Sequence, residues 1–247
     1  MSNDWTFPMQ TLSAPTDIAP DPLDQLELGD IGRRHGTTRM ASWPLRRLWL
    51  DVDFEGRSNV ASDGPVILAA NHLSFIDSVL MMYSLHRRVT FLGKAEYLRS
   101  RATASLFPAA GMIPVDRSGR GVAKSLRYAE QRLAAGEVVG IFPEGSRSRD
   151  GRLHRGHVGA AHLALRTGAP IVPVGIIGTD SIQPAGKRLP DFRGKATLRF
   201  GSPIDLGPWA GRGRSGAVKR EITEELMASI AELTGQQRTD EYLPIPG

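Results

Sequence analysis

The chain has 247 residues, 40% of them hydrophobic, enough for one large domain or two small ones with an ordinary core. Lysine and arginine outnumber the acids 31 to 26, giving a net charge of +5 and a pI near 9.9. That balance attracts anions such as nucleic acid, anionic lipid and phosphorylated metabolites. With no cysteine, disulfides, thiolate catalysis and Cys-ligated zinc are excluded.

The absence of cysteine is compatible with an intracellular protein. Residues 1–30 lack the basic start and apolar stretch of a signal peptide. No window approaches the ~18–20 apolar residues of a membrane span, so any work at a membrane is expected on its surface.

Residues 1–38 are rich in Pro and Asp, show no periodicity and read as a mobile acidic arm. Arg39–Leu50 reads as a short amphipathic helix with Pro44 in its first turn. Its Trp43, Leu45, Leu48 and Trp49 suit either a headgroup surface or the domain's own core, with Arg46 and Arg47 elsewhere. Strands and helices then alternate. Val66–Ala70 is a strand, Phe75–His86 a helix, and Val89–Leu92 and Met112–Val115 are strands. Gly121–Ala135 is a helix ended by Gly136.

Val138–Phe142 is a strand of uncharged residues expected to be buried on both faces. His157–Thr167 is a helix, Ile171–Ile177 a buried strand and Ala196–Phe200 an alternating strand. Ala217–Leu233 is the clearest helix, with Val218, Ile222, Leu226, Ile230 and Leu233 in one stripe. Residues 236–247 read as a C-terminal tail. The order implies an α/β fold, with a largely parallel central sheet flanked by helices, in a single domain over residues 39–235.

Four polar blocks follow or contain these strands. The first is Asn71-His72-Leu73-Ser74-Phe75-Ile76-Asp77. Ser74-x-x-Asp77 matches a capping box, in which Asp77 satisfies a free backbone N–H. Alternatively, with Ser74 as N-cap, His72 folds back over the first turn and Asp77 reaches one ring nitrogen. The other nitrogen is then left for a substrate hydroxyl, as in triad logic. The second block, Gly111 to Arg117, ends a short strand in Asp116 and Arg117, a solvated strand end or an anion ligand.

The third, Phe142 to Arg149, contains Pro143-Glu144-Gly145, a candidate tight turn. Glu144 is positioned to accept from substrate hydroxyls and Arg147 to bind phosphate, or both belong to a polar loop. The fourth, Ile171 to Ile176, carries Pro173, which suggests a strand end or bulge near a cleft.

In this order the blocks resemble the glycerolipid acyltransferases, specifically the 1-acyl-sn-glycerol-3-phosphate (lysophosphatidic acid) acyltransferases. Asn71, His72 and Asp77 match the family's Asn-His-x4-Asp. Asp116 and Arg117 match the second motif. Phe142 to Ser148 match Phe-Pro-Glu-Gly-Thr/Ser-Arg-Ser, and Val172 to Val174 match the apolar Val-Pro-Val segment. The resemblance runs from Ala69 to Gly178.

It implies acyl transfer from a coenzyme A or acyl carrier protein thioester to lysophosphatidic acid, giving phosphatidic acid for phospholipid synthesis at the cytoplasmic face of a membrane. It makes His72 the base, Asp77 its partner, and Arg117, Glu144, Gly145, Ser146 and Arg147 the acceptor site. Asn71, Pro143 and Pro173 are structural residues near it. No cofactor or metal is implied. Many members carry apolar N-terminal membrane segments, and no window of this sequence reads as one.

Glycerol 3-phosphate or another lysophospholipid remains an alternative acceptor, and a catalytically inactive lipid-binding module an alternative role. Nucleic-acid binding is not expected, because no aromatic-basic platform or recognition-helix pattern accompanies the high pI. Gly211-x-Gly213-x-x-Gly216 follows a long loop and reads as a linker rather than a dinucleotide site. His154, His157 and His162 lack carboxylate or thiolate company for a metal site.

Overall fold

The computed structural model describes residues 51–94, 112–115, 119–184 and 194–244. The expected arm, the Arg39–Leu50 helix, Asp116 and Arg117 lie outside the described residues. Seven strands form one sheet: β1 (Asp51–Glu55), β2 (Val66–Ala70), β3 (Val89–Lys94), β4 (Met112–Val115), β5 (Val138–Ile141), β6 (Ile171–Ile177) and β7 (Lys195–Phe200). The helices are α1 (Ile76–Ser84), α2 (Gly119–Ala134), α3 (Gly159–Thr167) and α4 (Gly216–Thr234), with a single helical turn at Thr179–Ile182.

Strand order is β1-β7-β6-β2-β5-β3-β4. The five strands β6, β2, β5, β3 and β4 are mutually parallel. β7 runs antiparallel to β6 and parallel to β1. The sheet is therefore largely parallel, as the alternation of elements predicts.

β2 is buried along its whole length because both its faces are covered. Val66, Leu68 and Ala70 pack with α1 residues such as Leu80 and Met81. Ile67 and Ala69 pack with Leu133 of α2, Leu163 of α3 and Ile222 and Ile230 of α4. Parallel strands carry their chain direction in common, so the carboxyl ends of β2, β5 and β6 open onto one edge. All the polar blocks with described side chains are read from that edge or from the strands leading to it.

Three expectations are corrected. β1 was not expected; its Asp-Val-Asp-Phe-Glu alternation pairs with β7 as an edge strand, with Val52 and Phe54 packed against the core. Pro173 lies inside β6 rather than at a strand end or bulge. Its carbonyl faces the β7 side and accepts from Gly201 N–H at 2.9 Å, so its missing donor faces that side too, where the β7 ladder begins only at Val174. Residues from Gln236 do not form a free tail, because Leu153 N–H donates to Gln237 O and Thr239 N–H to Leu153 O.

Gly140 of β5 sits opposite Phe91 of β3. A Cβ there would lie 2.3 Å from the Phe91 ring, which is buried and itself stacks on Phe142. Overpacking of this kind costs about 1–3 kcal/mol. Gly140→Ala is expected to lower the unfolding free energy by that amount, read as a lower urea midpoint at unchanged m-value.

Candidate active site

β2 ends at Ala70 and delivers Asn71 and His72 to the open edge. Asn71 is fully buried and extends the sheet with its side chain. Its Oδ1 accepts from Ile176 N–H at 2.7 Å, and its Nδ2 donates to Ile176 O at 2.9 Å and to Gln236 Oε1 at 2.9 Å. The first strand end is thereby locked to β6.

His72 turns back over the start of α1. Its Nδ1 lies 2.9 Å from Asp77 Oδ2, and the same oxygen accepts from Leu73 N–H at 2.7 Å and Ser74 N–H at 2.8 Å. The capping and orienting readings of Asp77 are therefore both realised, by one atom. Ser74 differs from an ordinary capping box: its hydroxyl donates to Gln183 O at 2.8 Å and accepts from Ile76 N–H at 3.3 Å. Because Asp77 Oδ2 is an acceptor, the proton on the neutral ring sits on Nδ1 and Nε2 carries the lone pair. Nε2 has no partner among the described residues, and the side chain is 16% exposed.

Phe142, after β5, stacks on the His72 ring at 3.9 Å between centroids and 12° between planes. Pro143-Glu144-Gly145 makes the tight turn the sequence predicts, closed by Gly145 N–H to Phe142 O at 3.0 Å. Gly145 has φ 73°, a left-handed conformation that favours glycine, and its Cβ position is 3.1 Å from the His157 ring. The loop then returns to the first block, where Ser148 N–H donates to His72 O at 2.7 Å.

Glu144 is placed differently from a group that projects toward substrate. It is 1% exposed, and its two oxygens hold two loops. Oε1 accepts from His72 N–H at 2.9 Å and Oε2 from His154 N–H at 3.0 Å. Burial pushes its carboxyl up to about 7, against the pull of those two N–H groups. Arg147 is half-buried with no partner among the described residues, and the N–H groups of Ser146 and Arg147 also have none there.

Pro143 is buried, and its carbonyl accepts from His157 N–H at 2.7 Å. His154, His157 and His162 each have their own neighbour. His154 Nε2 is 3.0 Å from Asp150, His162 Nε2 3.2 Å from Glu130, and His157 stacks on Tyr242. Burial and the charge of Arg220 hold His157 below its ordinary value. Asp150 is pushed up by desolvation, but hydrogen bonds from His154, Arg152 and Ser148 outweigh this and hold it below the usual carboxylate range.

The fold and site define an α/β protein with a carboxylate-oriented histidine at the carboxyl edge of a parallel sheet. Residues 51–177, just over half the chain, match the family model described as Acyltransferase, and the chain belongs to that family.

It is 33% identical over 137 residues to a chloroplastic 1-acyl-sn-glycerol-3-phosphate acyltransferase of Arabidopsis thaliana, covering 55% of this chain and 38% of that protein. It is 30% identical over 165 residues to the 1-acyl-sn-glycerol-3-phosphate acyltransferase of Bacillus subtilis, covering 64% of this chain and 76% of that one. The crystal structure of the 1-acyl-sn-glycerophosphate acyltransferase PlsC from Thermotoga maritima superimposes with a TM-score of 0.61 at 28% identity, covering 83% of this chain and 79% of that one. The chain spans 38% to 61% of the length of the plant and algal relatives it matches.

The Glu144 carboxyl supplies a test. Its folded-state value lies above the ordinary 4.5, so the folded protein holds this proton more tightly than the unfolded chain. Its contribution to stability is fully present below about pH 4.5 and is lost as pH rises through about 7. Glu144→Gln removes this slope and adds a constant penalty for one lost N–H bond. Urea unfolding between pH 5 and 8 is expected to show wild-type stability falling relative to the variant by on the order of 3 kcal/mol.

Proposed function

We propose that the protein transfers a fatty acyl group from a coenzyme A or acyl carrier protein thioester to the free hydroxyl of a 1-acylglycerol 3-phosphate. The observation that carries this reading is the His72 ring, held through Nδ1 by Asp77 with Nε2 unpartnered beside the Phe142–Ser148 loop.

His72 Nε2 takes the hydroxyl proton as the oxygen attacks the thioester carbonyl carbon. The tetrahedral intermediate collapses, the C–S bond breaks, and the sulfur leaves as a thiol with the proton returned by the imidazolium. Asp77 fixes the tautomer and stabilises the imidazolium. The chain has no cysteine and no Gly-x-Ser-x-Gly elbow, which favours direct transfer over an acyl-enzyme. Arg147, with Arg117 of the second block, holds the acceptor phosphate and so positions the hydroxyl. The Ser146 and Arg147 N–H groups are donors for the phosphate or the oxyanion. Glu144 acts through the two loops it joins.

Purified protein given palmitoyl-CoA and lysophosphatidic acid is expected to release free thiol only when acceptor is present. His72→Ala should lose about 10²–10⁴ in rate. Asp77→Asn retains an oxygen for the two backbone N–H groups but not the charge, so it should fold and lose a similar factor. Release without acceptor would indicate hydrolysis. Activity in His72→Ala would refute the assignment of the base. Glycerol 3-phosphate and other lysophospholipids are the acceptors to compare.

We also propose membrane attachment through residues 39–50. No helix among the described residues is long and apolar enough to cross a membrane. Asp51 pairs with Lys195, and Thr197 with Ile177 at the carboxyl end of β6, so the chain enters β1 at the same end of the sheet as the His72 site. A surface helix there would bring the site to the headgroups. Trp43→Glu with Trp49→Glu should reduce co-sedimentation with anionic liposomes, and unchanged binding would refute the attachment.

A further inference from the structure

The segment after α4 runs back across the molecule to the site. Gln236 bridges two parts of it. Its Oε1 accepts from Asn71 Nδ2 at 2.9 Å, one residue before His72, and its Nε2 donates to Gly151 O at 2.7 Å. The chain continues alongside Leu153–Arg155, with a single parallel bridge between Leu153 and Arg238. Leu153 N–H donates to Gln237 O at 3.0 Å, Thr239 N–H to Leu153 O at 2.9 Å and Arg155 N–H to Glu241 O at 3.0 Å.

His154, in the middle of that stretch, donates its N–H to Glu144, and Glu144 accepts from His72 N–H. The segment is pinned at its far end. Tyr242 stacks on His157 and accepts from Arg220 at 2.9 Å, while Arg238 pairs with Glu224 of α4 at 2.6 Å. The C-terminal segment is thus joined to the Asn71 side chain directly, and to His72 N–H through the Leu153–Arg155 backbone and the Glu144 carboxyl.

We infer that Gln236–Tyr242 is a strap that positions the His72 loop, with Gln236 a positioning residue acting through Asn71 and the Gly151–Arg155 loop. This rests on the acyl-transfer reading only for its kinetic consequence. Asn71 is fully buried, so without Gln236 one Nδ2 proton has no partner and the strand end must shift to find one. Displacements of about 1 Å at a general base cost up to about a hundredfold in rate.

The test compares full-length wild type, His72→Ala, Gln236→Met, Gln236→Glu and Tyr242→Ala in two assays. With palmitoyl-CoA and lysophosphatidic acid, Gln236→Met is expected to lose about ten- to a hundredfold in kcat. Its KM for palmitoyl-CoA should stay within about twofold of wild type. Gln236→Glu keeps an acceptor for Asn71 Nδ2 but loses the donor to Gly151 O, so it should recover only the part of kcat carried through Asn71 and fall between Gln236→Met and wild type.

In amide hydrogen exchange, the His72 and His154 N–H groups should exchange about tenfold or more faster in Gln236→Met, while β5 and α4 keep their protection. Tyr242→Ala, at an exposed position, should loosen His154 in the same assay and serves if Gln236→Met does not fold. Wild-type turnover with normal kcat and exchange in the folded strap variants would overturn the strap and leave the function standing. Absence of acyl transfer in wild type would count against the function instead, and the exchange rates would then decide the strap alone.

Discussion

One carboxylate oxygen organises the site. Asp77 Oδ2 receives three hydrogens, from the His72 ring and from the Leu73 and Ser74 backbone, while its other oxygen is buried with no partner among the described residues. This asymmetry gives one atom two tasks. The two N–H groups it accepts belong to the turn that converts β2 into α1, so the helix start depends on an acceptor oxygen at this position. The ring bond uses the same atom, so wherever the helix starts correctly His72 has a defined tautomer. The turn into α1 and the orientation of the His72 ring therefore share one acceptor atom.

Glu144 completes the enclosure from the other side. It is buried between two backbone N–H groups that lie far apart in sequence, and opposing effects act on its carboxyl. Burial and the nearby Asp77 favour the neutral acid, and the two N–H groups favour the carboxylate. Burial dominates and raises the carboxyl to about 7. A buried acid of this kind is costly for stability, and its retention makes sense where the return is a fixed position for the His72 peptide.

The sequence made the architecture readable because the physical signal was local. β2, β5 and β6 are uninterrupted apolar runs, and α4 carries its stripe in the register expected of an amphipathic helix. The His72–Asp77 contact was readable for the same reason, since both partners lie within six residues. The sequence offers capping and orientation of His72 as competing explanations of Asp77, yet one oxygen both accepts from the turn and holds the ring.

The role of Glu144 was not readable, because its partners are backbone groups at His72 and His154 that no side-chain pattern announces. Gln236 was missed for a similar reason: a polar residue just past a helix-ending glycine looks like the start of a tail. β1 was missed because two aspartates in a five-residue strand suppress the apolar signal that an edge strand needs only on one face.

The position of His72 also depends on the core beneath it. Gly140 leaves room for the Phe91 ring, Phe91 stacks on Phe142 at 5.4 Å, and Phe142 stacks on His72. The hydrogen bonds from Asp77 set the direction of the imidazole within its plane, but a bond through one nitrogen leaves the ring free to tilt about it. The flat contact with Phe142 removes that freedom. It also covers one face of the ring with hydrocarbon. Packing and hydrogen bonding therefore constrain different motions of the same ring, and neither alone would present its lone pair in one direction.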